Sequence, residues 1–144
     1  MIKLTFLGTR GNTKVPSAAH RMHSSLLVSS GGARVMINCG ADWLGRFGAI
    51  APDAMLITHA HRDHALGLTH GAPRPVYATA ETWHPLDGLP IDRRQLVIPC
   101  SEFTIGFFRL EAWSMAPSAR PFRSSRSCLI SSSICASKSR SRTR

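Results

Sequence analysis

Thr58-His59-Ala60-His61-Arg62-Asp63-His64 places three imidazoles and a carboxylate within six residues. Such a group is costly in an apolar core. It is natural for divalent zinc, which takes His nitrogen and Asp oxygen as ligands. The apolar run Ala54-Met55-Leu56-Ile57 leads into it and reads as a short strand buried on both faces, fed by a turn at Pro52-Asp53. A helix over 63–69 follows, with Asp63 near its N-terminus. On an extended or looped segment His59 and His61 project to the same side at period two. Asp63 and His64 diverge from that line and can serve a neighbouring position, so the spacing suits two metals close together.

The sequence on either side alternates strands with glycine and proline turns. Ile2, Leu4 and Phe6 alternate with Lys3 and Thr5, which predicts a strand at the N-terminus rather than a signal peptide. A polar loop then reaches His23. Strands over 24–29 and 33–38 flank a Gly31-Gly32 turn and form a hairpin. Beyond the motif, Pro73 and Pro75 end the helix and 76–78 makes a strand. Thr79 caps a helix over 80–86 that Asp87-Gly88 closes. Two or three further strands follow, around 95–98, 102–105 and 107–113.

The string at 59–64 matches the HxHxDH signature of the metallo-β-lactamase fold superfamily, and its context fits as well. Phe6-Leu7-Gly8-Thr9 opens the chain, the hairpin ends in Met36-Ile37-Asn38-Cys39-Gly40, and Pro52-Asp53 leads through the buried strand into the motif. The resemblance covers residues 1–113. The opening and Ser24-Ser25 further resemble the branch containing tRNA 3′-processing endonucleases and phosphodiesterases. The resemblance implies an α/β fold, an αββα sandwich present here as its N-terminal half, with metals at one edge between two sheets. It implies that His59 and His61 hold a first Zn²⁺ and Asp63 and His64 a second, with Mn²⁺ or Fe as alternatives. Asp63 is also implied as a catalytic residue, and Thr58 and Asn38 as residues that orient the ligand loop. The implied chemistry is attack of an activated water on a phosphodiester, ester or amide.

Two departures accompany the match. Asn38 stands where the family usually has Asp, keeping hydrogen-bonding capacity but losing a negative charge. The family also draws later ligands from a His, a bridging Asp and a last His, yet no His follows His84 and no Asp follows Asp92. From residue 114 the pattern itself changes. Eleven of the last thirty-one residues are Ser, and seven Lys and Arg stand there without one acid. The expectation is a disordered tail over 114–144, produced by a frame shift, on a truncated and impaired hydrolase. An open half-sandwich would expose one sheet face and favour a homodimer.

Charge divides at the same place. The chain of 144 residues carries a formal +10, which by itself would point to nucleic acid. Residues 1–113 hold eleven Lys and Arg against all eight Asp and Glu, so the tail supplies +7 of the +10. The alternative reading is accordingly a non-catalytic basic protein that binds nucleic acid through this tail. The length suits one domain and is too short for two of typical size. No apolar run approaches the ~20 residues needed to cross a bilayer, so no membrane partner and a cytoplasmic location are expected. Cys39, Cys100, Cys128 and Cys135 form no CxxC pair, which favours reduced thiols.

Other residues take lesser roles. His20 and His23, with Arg10, Lys14 and Arg21, read either as a basic rim over a phosphate-containing substrate or as solvated loop residues. His70 and His84 sit at helix ends, where a cation is favoured. Trp43, Phe47 and Trp83 read either as the lining of a pocket or as core packing or partial exposure, and the second is favoured.

Overall fold

The computed structural model describes residues 1–13, 15–115 and 129–132. Six strands form one sheet in chain order: β1 (Lys3–Gly8), β2 (Ser25–Ser30), β3 (Ala33–Ile37), β4 (Ala54–Leu56), β5 (Val76–Thr79) and β6 (Arg94–Val97). The first three run antiparallel, and β3 to β6 are mutually parallel. Gly31 and Gly32, both at positive φ, close the β2–β3 hairpin as their sequence predicts. Parallel neighbours need crossovers, and three short helices occupy them: α1 (Phe47–Ile50), α2 (Arg62–Ala65) and α3 (Ala80–Trp83). The predicted 63–69 helix is α2 continued by a 3₁₀ turn at Leu66–Leu68. The predicted 80–86 helix is α3 continued by one at His84–Leu86, with Thr79 as its N-cap.

The two faces of the sheet are buried differently. Towards the helices, Leu27, Met36, Met55, Ile57, Val76 and Ala78 pack with Trp43, Ala65, Leu68 and Leu86. On the other face, Val28, Val35, Ile37, Ala54, Leu56 and Val97 pack against a second sheet. This sheet is built from β7 (Glu102–Ile105), β8 (Phe108–Met115) and β9 (Leu129–Ser132). The described layers are thus helix, sheet, sheet. β8 runs two residues past the expected boundary at 113, and β9 pairs with its end. A strand within the Ser/Arg-rich ending is not anticipated by its composition. The rest of that ending lies outside the described residues.

Cover over the second face stops short of β1. Leu4 lies opposite Val28 and Phe6 opposite Leu26, so these four side chains share a face. Val28 is 2% exposed, while Leu4 is 51% and Phe6 72% exposed. No helix among the described residues is long and apolar enough to cross a membrane. Cys39 is buried and Cys100 exposed, both as free thiols; Cys128 and Cys135 lie outside the described residues.

Candidate metal centre

The carboxyl ends of β3, β4 and β5 converge at one sheet edge, the place where open α/β sheets build their sites. Asn38 follows β3, Thr58 and His59 follow β4, and Thr82 in α3 follows β5. The Thr82 hydroxyl donates to the Thr58 carbonyl at 3.4 Å. The four candidate ligands are neighbours in pairs there. The His59 ring centroid lies 4.6 Å from that of His61 and 4.0 Å from that of His64. His64 Nε2 lies 3.1 Å from Asp63 Oδ2. His59 and Asp63 are buried, whereas His61 is exposed at the rim.

Thr58 fixes the tautomer of His59. Its backbone N–H and its hydroxyl both donate to Asn38 Oδ1, at 3.0 and 2.8 Å. A hydroxyl has one proton to give. With that proton on Asn38, the Thr58 oxygen accepts from His59 Nδ1, 3.0 Å away, and the Nε2 lone pair is left free as a ligand. Asn38 has φ 63°, a left-handed conformation that Asn tolerates better than most residues. Its carbonyl oxygen performs the accepting role a carboxylate would perform, so the replacement of Asp removes charge and keeps the hydrogen bonds.

The neighbouring backbone is held at close range. Cys39 N–H donates to the His64 carbonyl at 2.6 Å, and Gly67 N–H to the Cys39 carbonyl at 2.8 Å. A Cβ on Gly40 would land on the Asp63 carbonyl and the His23 side chain, and one on Gly67 would strike Cys39. The Asn38-Cys39-Gly40 segment therefore braces the ligand loop through contacts that no side chain could share.

Burial, with His64 and His61 close by, pulls the His59 ring down to about 4, from an ordinary 6.5. Burial also lowers His64. Both rings are therefore neutral at pH 7, the form that ligates metal. Asp63 Oδ1 and His64 Nδ1 are buried without a hydrogen-bond partner, an arrangement that is costly unless a further group completes it. In kind, then, the donor set fits zinc. Among the described residues no three such side chains converge as a ready metal site.

The loop residues divide. His20 and Arg21 are exposed, and His20 Nδ1 pairs with Thr9 Oγ1 at 2.8 Å. Lys14 lies outside the described residues. Arg10 and His23, read above as rim or solvated residues, are instead buried at 7% and 4% exposure and tied to Asp42. Asp42 carried no signal in the sequence. Trp43 is core, its Nε1–H donating to the His23 carbonyl at 2.9 Å. Trp83 lies under Arg94, and His70 and His84 are exposed.

Comparison with known proteins bears on the sequence relationship and the fold. No family model matches the chain. Ribonuclease Z of Bradyrhizobium diazoefficiens is 48% identical over 73 residues, covering 47% of this chain and 23% of the relative. Ribonuclease Z of Methanopyrus kandleri is 34% identical over 124 residues, covering 74% of this chain and 43% of the relative. The chain thus spans less than half the length of these curated relatives. Among solved structures, the metallo-β-lactamase fold protein YhfI of Bacillus subtilis superposes with a TM-score of 0.64 at 22% identity, over 82% of this chain and 54% of that one. Zn²⁺-bound PqqB of Methylobacterium extorquens superposes with a TM-score of 0.61 at 18% identity, over 81% and 50%. The chain has the metallo-β-lactamase fold, of which it carries the N-terminal part, and its sequence is similar to that of ribonuclease Z.

Proposed function

We propose that this chain is part of a metal-dependent hydrolase acting on phosphodiesters, with RNA as substrate, in the cytoplasm. The observation that carries the reading is the cluster of His59, His61, His64 and buried Asp63 at the carboxyl end of β4. The named activity of the ribonuclease Z relatives supports the substrate class. His59 and His61 would hold one zinc and Asp63 and His64 a second, with manganese or iron as alternatives. Zinc in such a site lowers the pKa of bound water to about 7 and stabilises charge developing on phosphoryl oxygens.

The chain's own residues prepare the site. Thr58 and Asn38 hold His59 in the tautomer that presents Nε2. Buried Asp63 supplies the negative charge, and its buried Oδ1 has no hydrogen-bond partner. The site as described rests on four donors. Two per ion falls short of the three or four usual for zinc. Low activity is the expectation. Hydrolysis of bis(p-nitrophenyl) phosphate with added zinc or manganese tests the reading: a slow, metal-dependent rate abolished by His59→Ala supports it, and a rate insensitive to that substitution refutes it.

A further inference from the structure

A cavity of about 530 Å³ opens beside the ligand loop, lined by Arg10, Asn12, Thr13, His23, Asp42 and Arg62. It adjoins the cluster on two sides. Arg62 stands between His61 and Asp63 in the chain. Gly11, next to Arg10, lies so near the motif that an added Cβ would stand 3.9 Å from Asp63 Oδ2.

The charge in this cavity is built in. A guanidinium cannot shed its proton at any ordinary pH, so burying Arg10 commits the wall to a cation. Arg10 is held from two directions: Nη1 donates to the Thr13 carbonyl at 2.8 Å, and Nη2 pairs with the Asp42 carboxylate. Asp42 is itself fixed by the His23 backbone N–H at 2.9 Å and lies 2.8 Å from the His23 ring. Arg10 Nε, with its N–H, remains buried and unpartnered. Asp42 offsets one guanidinium. Arg62 is exposed and takes part in none of the ion pairs among the described residues, so the cavity keeps one positive charge that its own walls do not balance. A rigid guanidinium behind a free one, with amide and hydroxyl groups between, suits a tetrahedral oxyanion with several acceptor oxygens.

We propose that this cavity is a phosphate-binding subsite, which takes a phosphate of an RNA strand next to the one presented to the ligand loop. Arg62 makes the direct contact, and Arg10 is the fixed positive wall. The strand part of this assignment rests on the hydrolase reading above; the oxyanion part stands on the cavity.

The test follows the arginine Nε–H signals of the full chain by NMR, without added metal. Inorganic phosphate, titrated against chloride at constant ionic strength, is expected to shift the Arg10 and Arg62 signals saturably. Arg62→Glu, at an exposed position, should leave the spectrum dispersed and remove the shift at Arg10. A 5′-phosphorylated uridine trinucleotide should half-saturate the same signals at least about tenfold lower than inorganic phosphate, through its additional phosphate contacts. No shift with phosphate, or a shift retained in Arg62→Glu, overturns the subsite. Equal half-saturation by phosphate and trinucleotide marks a free-phosphate site and overturns the strand assignment. None of these readouts needs turnover, so they fail independently of the hydrolase reading, which falls if no His59-dependent hydrolysis is seen.

Discussion

The two faces of the six-stranded sheet are closed to different degrees. The helix-side face is closed over its centre: Met36, Met55, Ile57 and Val76 are completely covered by short helices that lie between the strands in sequence, and only at the β6 edge does Leu96 stay 64% exposed. The opposite face is covered by the β7–β8 hairpin from β2 to β6 but not at β1, where Leu4 and Phe6 remain exposed. The candidate metal centre belongs to the helix side, because its loop is braced by Cys39, Gly40 and Gly67 against α2 and the turn that follows it. A site can thus be well supported locally although part of the sheet beneath it lacks a partner.

The sharpest way to break this comparison is to truncate one side chain on each face. Met55→Ala should cost about 2–5 kcal/mol in urea unfolding, because a completely buried side chain leaves a cavity. Phe6→Ala on the open face should stay within about 0.5 kcal/mol, as exposed substitutions usually do. Similar losses at both positions would mean that the faces are equally closed.

The next effect is that of pH. His59 titrates near 6.5 when unfolded and at about 4 when folded, so between these values the unfolded chain binds more protons and stability rises with pH. The contribution is fully present above about pH 6.5 and is lost as pH falls through 4, on the order of 3 kcal/mol. Urea midpoints at pH 7 and pH 4.5 would show it, and His59→Gln should flatten the difference. A midpoint that did not move in the parent chain would contradict the burial of that ring.

Thr58→Val removes the hydroxyl between Asn38 and His59 with little change of shape. A loss of about 1–3 kcal/mol is expected, because partners inside the site go unmet, together with about 10–100-fold weaker zinc binding. Unchanged zinc affinity would remove Thr58 from any positioning role. The smallest effect concerns the open face. Phe6→Lys should leave the urea midpoint nearly unchanged yet shift sedimentation towards monomer if Phe6 mediates self-association, and identical sedimentation would exclude the β1 face as a contact.

Most of the fold was legible in the sequence because its signals are local. Period-two alternation marked β1, the Gly31-Gly32 turn fixed the hairpin, and the unbroken apolar run marked β4 as doubly buried. The four candidate donors could be named from the sequence for the same reason, as they lie within six residues. The Arg10–His23–Asp42 group was not. Its members come from the β1–β2 loop and the β3–β4 crossover, and each alone looks like a solvated loop residue; only the close approach of Gly40 to His23 brings them together. Likewise β9 is defined by pairing with β8 rather than by any apolar periodicity of its own.

The claim on which the account turns is that His59, His61, Asp63 and His64 form one metal-binding group. Calorimetric titration of zinc into the full chain and into His59→Ala tests it directly. The account predicts weak binding of no more than one ion, removed by a chelator and lost in the His59→Ala variant. Zinc binding that is identical in the two chains, or absent from both, would contradict it.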